Sequence, residues 1–195
     1  MFADILRARL EGIVDLSPSQ VSALEVHYEL LLRWNRTLNL TRVESLEEAV
    51  ERHYCESLFL ASHLPSGAIR VADIGSGAGF PGFPVAIARP DCDVTLVESH
   101  QRKAVFLREA SRSVPNIRVL AQRAEAVTGP FHHAVSRAVS YADLMKPLML
   151  LAVSVDLLTG VDAPPASMAV DWCPAIPMPW GKQRFLRIGR VKAKS

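Results

Sequence analysis

The 195-residue sequence predicts an α/β fold: a Rossmann-like, mostly parallel sheet flanked by helices and preceded by a helical extension. Three observations predict it. From Ile69 onward, short β-branched runs recur at spacings of roughly 20 to 30 residues with helical patterns between them, as βαβ units require. One of those runs, VADI at 71–74, enters a glycine-rich loop that opens a helix. Before Ile69 the periodicity is helical throughout.

The first stretch, MFADILRARLEGI, mixes charged and apolar residues at helical spacing. It lacks the continuous apolar run and small-residue cleavage site of a signal peptide, so it reads as a helix. A second helix starts at the N-cap Ser17, with Pro18 at its first position, and runs to Asn35 with Val21, Leu24, Tyr28, Leu31 and Leu32 as its apolar face. Ser45, followed by Glu47 and Glu48, starts a third helix expected to pass through Arg52 and His53 toward Leu60. The strands are IRVADI, DVTLVE, IRVLAQ, HHAVSRAV and VSVDLLTG. Helices lie between them at PGFPVAIAR, at QRKAVFLREASR with Val105, Phe106 and Ala110 for one face, and at YADLMKPLMLLA, which Pro147 should bend or restart. VDAPPAS is a loop, and RFLRIGRV alternates like an edge strand running antiparallel to the strand before it.

The glycine loop fits two registers. Gly77-x-Gly79-x-x-Gly82 matches the dinucleotide fingerprint, whereas Asp73-x-Gly75-x-Gly77-x-Gly79 is the pattern expected of an S-adenosylmethionine loop. Missing β-carbons and free N–H groups at a helix start suit both ligands. The dinucleotide register should begin directly after the strand, yet Gly77 lies beyond Gly75 and Ser76, and Pro81 falls inside it. Gly75 does follow the strand. The Asp73 carboxylate can hold the loop or face a methionine ammonium through water, but beside a pyrophosphate it would repel. The methyl donor is therefore favoured over NAD. Glu98, at the end of the second strand, is placed to take the ribose hydroxyls of either.

Hydrophobic content of 49% and charged content of 22% are globular values, and no apolar run approaches the roughly 20 residues of a membrane span. A soluble protein without a membrane partner is expected. Three scattered cysteines, Cys55, Cys92 and Cys173, match no metal spacing and predict a cytoplasmic setting without disulfides. His132 and His133 would point to opposite faces of a strand with no third ligand near, so no metal is expected. The net charge of +2 conceals an excess of arginine around the glycine stretch, which permits a nucleic acid partner.

WNRTLNLT at 34–41, RHYCESL at 52–58, DIGSGAGFPGFPVAIARP at 73–90 and VSRA at 135–138 together resemble the RsmG family, also called glucose-inhibited division protein B. The resemblance covers residues from about 15 to 160. It implies a class I S-adenosylmethionine-dependent methyltransferase with a seven-stranded-type sheet. Residues 1–64 would be the helical extension and 65–195 the methyltransferase domain of one compact unit. It implies methylation of N7 of a guanine in the 530 loop of bacterial 16S ribosomal RNA, presented as naked RNA or in the small ribosomal subunit. It puts donor-binding residues at Gly75, Phe80, Ala124, Glu125 and Arg137. Ala124 and Glu125 would lie at the adenine edge, Phe80 would be an apolar wall, and Arg137 would meet the donor carboxylate or an RNA phosphate. Three places depart from the family pattern: Glu56 stands for Asp, Thr159 falls where Leu-Lys-Gly is usual, and Gln183-Arg184 replaces Arg followed by His or Tyr. They bear on the RNA-facing side.

Guanine N7 carries a lone pair and no proton, so its methylation needs no general base and positioning carries the reaction. No catalytic residue is assigned; Arg137, His53 and Asn39 are candidates for touching substrate or closing over the donor. An exocyclic-amine enzyme would want an Asn/Asp-Pro-Pro-aromatic motif at the fourth strand, where this chain has AVSRAVS. A pyrimidine C5 enzyme would want a cysteine nucleophile there, and Cys173 lies far downstream. Arg36, Arg42, Arg102, Lys103 and Arg123 form the expected phosphate-facing set. A monomer is expected. A small-molecule methyltransferase, an NAD-dependent oxidoreductase and a non-catalytic RNA-binding module are the alternatives.

Overall fold

The computed structural model describes residues 1–42 and 45–192. Helix α1 (Phe2–Leu10) buries Phe2, Leu6 and Leu10, a single stripe at steps of four. Helix α2 (Pro18–Leu38) starts from a complete capping box: the Ser17 hydroxyl accepts from the Gln20 N–H, and Gln20 Oε1 accepts from the Ser17 N–H at 2.8 Å. Its buried face is Val21, Leu24, His27, Leu30 and Leu31. Leu32, expected on that face, is exposed.

The third helix is interrupted. Helix α3 (Leu46–Ala49) passes into a π turn at Val50–Cys55 before α4 (Glu56–His63) resumes α geometry. In the turn the Glu56 N–H bonds to the Glu51 carbonyl, five residues back. The return to four-residue spacing passes over the Arg52 carbonyl, which is left for another donor.

Strands β1 (Arg70–Ile74), β2 (Asp93–Val97), β3 (Ile117–Leu120), β4 (Phe131–Arg137) and β5 (Ala152–Thr159) are parallel. Helices α5 (Gly82–Ala88), α6 (Gln101–Ala110) and α7 (Tyr141–Leu151) join β1 to β2, β2 to β3 and β4 to β5, while β3 reaches β4 through a short 3₁₀ turn at Ala124–Ala126. The sheet order is β3-β2-β1-β4-β5-β8-β6, with β8 (Phe185–Val191) antiparallel to β5. β8 is not the edge strand that its alternation suggested. β6 (Val170–Trp172) pairs along it, and so does β7 (Ile176–Pro177). Strands of three and two residues are too short for a period of two to show in sequence. The sheet therefore has eight strands, the two-residue β7 being the addition to the expected seven.

A smaller expectation also fails. Helix α6 buries Ala104, Phe106 and Leu107 and exposes Val105, since at about 100° per residue those three span one side of the helix and Val105 points to the opposite one. Helix α7 carries Pro147 without restarting, forgoing one backbone hydrogen bond.

Alternation along β1 feeds two cores. Val71 packs with Leu24, Tyr54, Leu58, Phe83 and Phe106 on one face, and Ala72 and Ile74 with Leu144, Leu148 and Val155 on the other. The first core runs from the helical extension into the sheet, so the extension is an integral layer. Because β1 leads outward to β2 and β3 while β4 leads outward to β5, the strand order reverses between β1 and β4. A crevice opens there at the carboxyl ends. No helix among the described residues is long and apolar enough to cross a membrane.

Candidate active site

Residues 73–82 turn the chain from β1 into α5. Asp73 is fully buried, and its Oδ2 accepts from the Gly82 N–H at 2.9 Å, satisfying a free donor at the helix start. The Ser76 hydroxyl donates to the Asp73 carbonyl at 3.0 Å. Burial pushes the Asp73 carboxyl up to about 7, against the Gly82 and Ser76 contacts that lower it. Gly75, Gly77 and Gly79 have φ of 73°, 57° and 89°. At Gly75 the approach is close: a Cβ would lie 2.6 Å from Val139 Cγ2.

Glu98 is brought to this loop. It accepts from the Gly77 N–H at 2.9 Å and from the His100 N–H at 2.7 Å, so it ties the glycines to the end of β2. Gly75, Glu98, Ala124 and Glu125 line one cleft of about 210 Å³. Arg123 from the phosphate-facing set lines it too, together with Val139 and Asp143, which carried no motif in the sequence. Phe80 does not. Its side chain, expected as a wall of the donor site, is buried under the loop, stacked on His53 at 4.6 Å and edge-on to Tyr54 at 5.1 Å. The aromatic spacing that placed it after the glycines serves packing against the extension.

A second cleft, of about 440 Å³, opens beside the first at the tips of β4 and β5. Tyr141, Leu144, Leu157 and Leu158 contribute apolar surface, and Arg52, Arg137 and Arg184 contribute charge. Ala138 has φ of 58°, a left-handed conformation that costs a non-glycine residue about 1–2 kcal/mol and turns the chain directly after Arg137. The Arg137 guanidinium donates to the Arg52 carbonyl, the one passed over in the π turn. Burial, then the nearby Arg184 and Arg52, lower Arg137 to about 10, so it stays charged near neutral pH. Arg184 is held by a forked pair of bonds to Glu56, Nε to Oε1 at 2.9 Å and Nη2 to Oε2 at 2.7 Å. Two of the family departures, Glu56 and Arg184, are thus partners. The third, Thr159, lines the same cleft and accepts from Arg187 Nε at 3.0 Å.

Arg52 and Arg184 escaped sequence reasoning because their cleft forms only when segments far apart in the chain meet. Val139 lines both clefts, so they share a wall.

His53 and Asn39 line neither cleft. His53 is buried, its Nε2 lies 2.6 Å from Thr41 Oγ1, and desolvation drives its pKa down to about 2, so it is a neutral packing group. Asn39 is the left-handed cap of α2, with φ of 45° and an exposed side chain. The WNRTLNLT motif has a structural use: Asn35 accepts from the Thr41 N–H at 2.9 Å and donates to its carbonyl at 3.0 Å. Arg36, Arg42 and Arg102 are exposed and Lys103 half-buried, on α2, the loop after it and the first turn of α6. His132 Nδ1 accepts from the Arg70 N–H, and His133 pairs with Asp156 at 2.6 Å. Among the described residues no three His, Cys, Asp or Glu side chains converge as a metal site.

The family model for GidB, rRNA small subunit methyltransferase G, matches residues 20–156. The chain belongs to this family. A GidB-family relative from Chromobacterium violaceum, named ribosomal RNA small subunit methyltransferase G, is 39% identical over 142 residues, 71% of this chain and 68% of that protein. One of the same name from Xanthomonas axonopodis pv. citri is 49% identical over 113 residues, 56% of this chain and 52% of its own. The matches thus span between about half and two thirds of these relatives. In fold, the chain is similar to a SAM-dependent methyltransferase from Aquifex aeolicus, with TM-score 0.59 and 12% identity over 74% of this chain and 93% of that one. It is equally similar to magnesium protoporphyrin IX methyltransferase from Synechocystis with bound SAM, with TM-score 0.59 and 11% identity over 91% and 99%. Both of those proteins are described with S-adenosylmethionine, one of the two cofactors that the glycine loop admits.

Proposed function

We propose that this GidB-family chain transfers a methyl group from S-adenosylmethionine to N7 of a guanine in the 530 loop of bacterial 16S ribosomal RNA. What supports it most is the shared wall: two clefts meet at Val139, at the point where the strand order reverses, so their occupants would face each other. The names of the relatives supply the RNA class.

The first cleft suits the nucleoside end of the donor. Glu98 would take the ribose hydroxyls, Ala124 and Glu125 would border the adenine, and Gly75 leaves open the path that a side chain would close. At about 210 Å³ it has room for a nucleoside, so the methionine arm would pass Gly75 toward Val139. When bound, S-adenosylmethionine supplies an electrophilic methyl group on a sulfonium centre. Arg137, charged and half-buried in the second cleft two residues before the shared Val139, would hold its carboxylate.

Tyr141 and the three leucines of the second cleft form surfaces against which an extruded base can lie. Its lining contains no His, Lys or Cys. Since N7 offers a lone pair and loses no proton, the protein has only to hold two reactants in line. The methylated base is cationic, and the guanidinium groups around the cleft oppose its retention.

The test is incubation with labelled S-adenosylmethionine and small ribosomal subunits, or their free 16S RNA, lacking the modification. Digestion should return the label as 7-methylguanosine. Label in another nucleoside, or none while S-adenosylhomocysteine binds, would overturn the proposal and leave the small-molecule methyltransferase.

A further inference from the structure

We propose that Arg52 and Arg184 form an anion subsite in the second cleft that takes the phosphodiester flanking the target base. It rests on the acceptor role given to that cleft above. Arg52, Arg137 and Arg184 all line the cleft, against one lining carboxylate, Asp162, whose carbonyl accepts from the Tyr141 hydroxyl at 2.8 Å. The lining is thus part apolar and part cationic, the chemistry of a base carrying its phosphate.

Arginine suits this task because its planar guanidinium carries five N–H donors, so one edge can be held by the protein while the rest meet a phosphate. The fork of Arg184 is already fixed: Nε and Nη2 are held by Glu56, which is only 2% exposed, and the Nη1 donors remain available. Arg52 is tied only by a 3.2 Å exposed pair with Glu48, and its backbone is anchored where its carbonyl accepts from Arg137. One π turn therefore presents Arg52 to the cleft, orients Arg137, and leads directly into the Glu56 that orients Arg184. Preorganised donors lose little freedom when an anion arrives. The charges expected from sequence to meet RNA lie on other elements, so this subsite adds to them.

The competing occupant is the donor carboxylate, and the test separates the two. Two variants suffice: Arg52→Gln, which removes an exposed guanidinium, and the double variant Glu56→Gln with Arg184→Gln, which neutralises the buried pair together. Affinity for unmethylated small subunits is measured across a potassium chloride series, and affinity for S-adenosylhomocysteine by calorimetry. In Arg52→Gln the slope of log Kd against log salt should shrink by about 1, subunit affinity should fall about tenfold, and S-adenosylhomocysteine affinity should not move. The double variant should behave alike if it folds; Arg52→Gln decides alone if it does not. An unchanged slope with unchanged subunit affinity would overturn the subsite, and so would a fall in S-adenosylhomocysteine affinity. Failure of the acceptor reading is distinct: the unmutated protein would then yield no 7-methylguanosine.

Discussion

The cleft proposed for the donor lies where the main chain turns at the carboxyl ends of strands: Ile74 and Gly75 after β1, Glu98 and Ser99 after β2, and Ala124 with Glu125 after β3. The cleft proposed for the acceptor is made of side chains from distant segments. Arg137 meets the Arg52 carbonyl across 85 positions, and Arg184 meets Glu56 across 128. The first is rigid because glycines with positive φ and a buried carboxylate determine the path of the main chain. The second depends on ion pairing and on a register change in a helix. Substitutions should therefore fail differently on the two sides.

The largest effect belongs to the acceptor side. Arg184→Met strands the Glu56 carboxylate, 2% exposed, and should cost about 3–5 kcal/mol in urea unfolding, most of it recovered when Glu56→Gln is added. A loss below about 1 kcal/mol would break the contrast, because the pair would then be dispensable.

Next comes Asp73, on the donor side. Its folded pKa of about 7 stands above the ordinary carboxylate value of 3.8, so the folded state keeps its proton longer. Its contribution to stability is therefore present below pH 3.8 and is lost as pH rises through about 7. Asp73→Asn keeps an acceptor for Gly82 and should flatten that decline, by about 2 kcal/mol between pH 5 and 8. Thermal midpoints across that range, with and without the substitution, check it; parallel curves would contradict it.

The extension underlies both clefts, and its caps should matter less. Ser17→Ala removes the side-chain acceptor of the α2 capping box and should cost about 1 kcal/mol by denaturant titration, with no change in donor affinity. Smallest is Glu48→Gln, which breaks only the exposed pair with Arg52 and should change stability by about 0.5 kcal/mol or less.

The same contrast explains what could be read in the sequence. The strand, the glycines and Glu98 were legible because a tight turn demands glycine and βαβ units repeat at a regular spacing. Phe80 was misjudged, since a residue beside a cofactor loop in sequence can face the core beneath it in space. The π turn carries no periodic signal, so the helix through Arg52 and His53 looked continuous, and the carbonyl it frees was invisible. Glu56 and Arg184 each stood out as a departure, but only the fold makes them a pair. Strands of two and three residues left β8 looking like an edge.

The most direct test of two separately built clefts is calorimetric titration of S-adenosylhomocysteine into Gly75→Ala and Arg52→Gln. An alanine at 75 must adopt φ of 73° and its Cβ would crowd Val139 Cγ2, so donor affinity should fall at least about tenfold there, while Arg52→Gln should bind as the unmutated protein does. Full binding by Gly75→Ala, with loss in Arg52→Gln, would place the donor on Arg52 and not along the glycine loop, and would contradict the account.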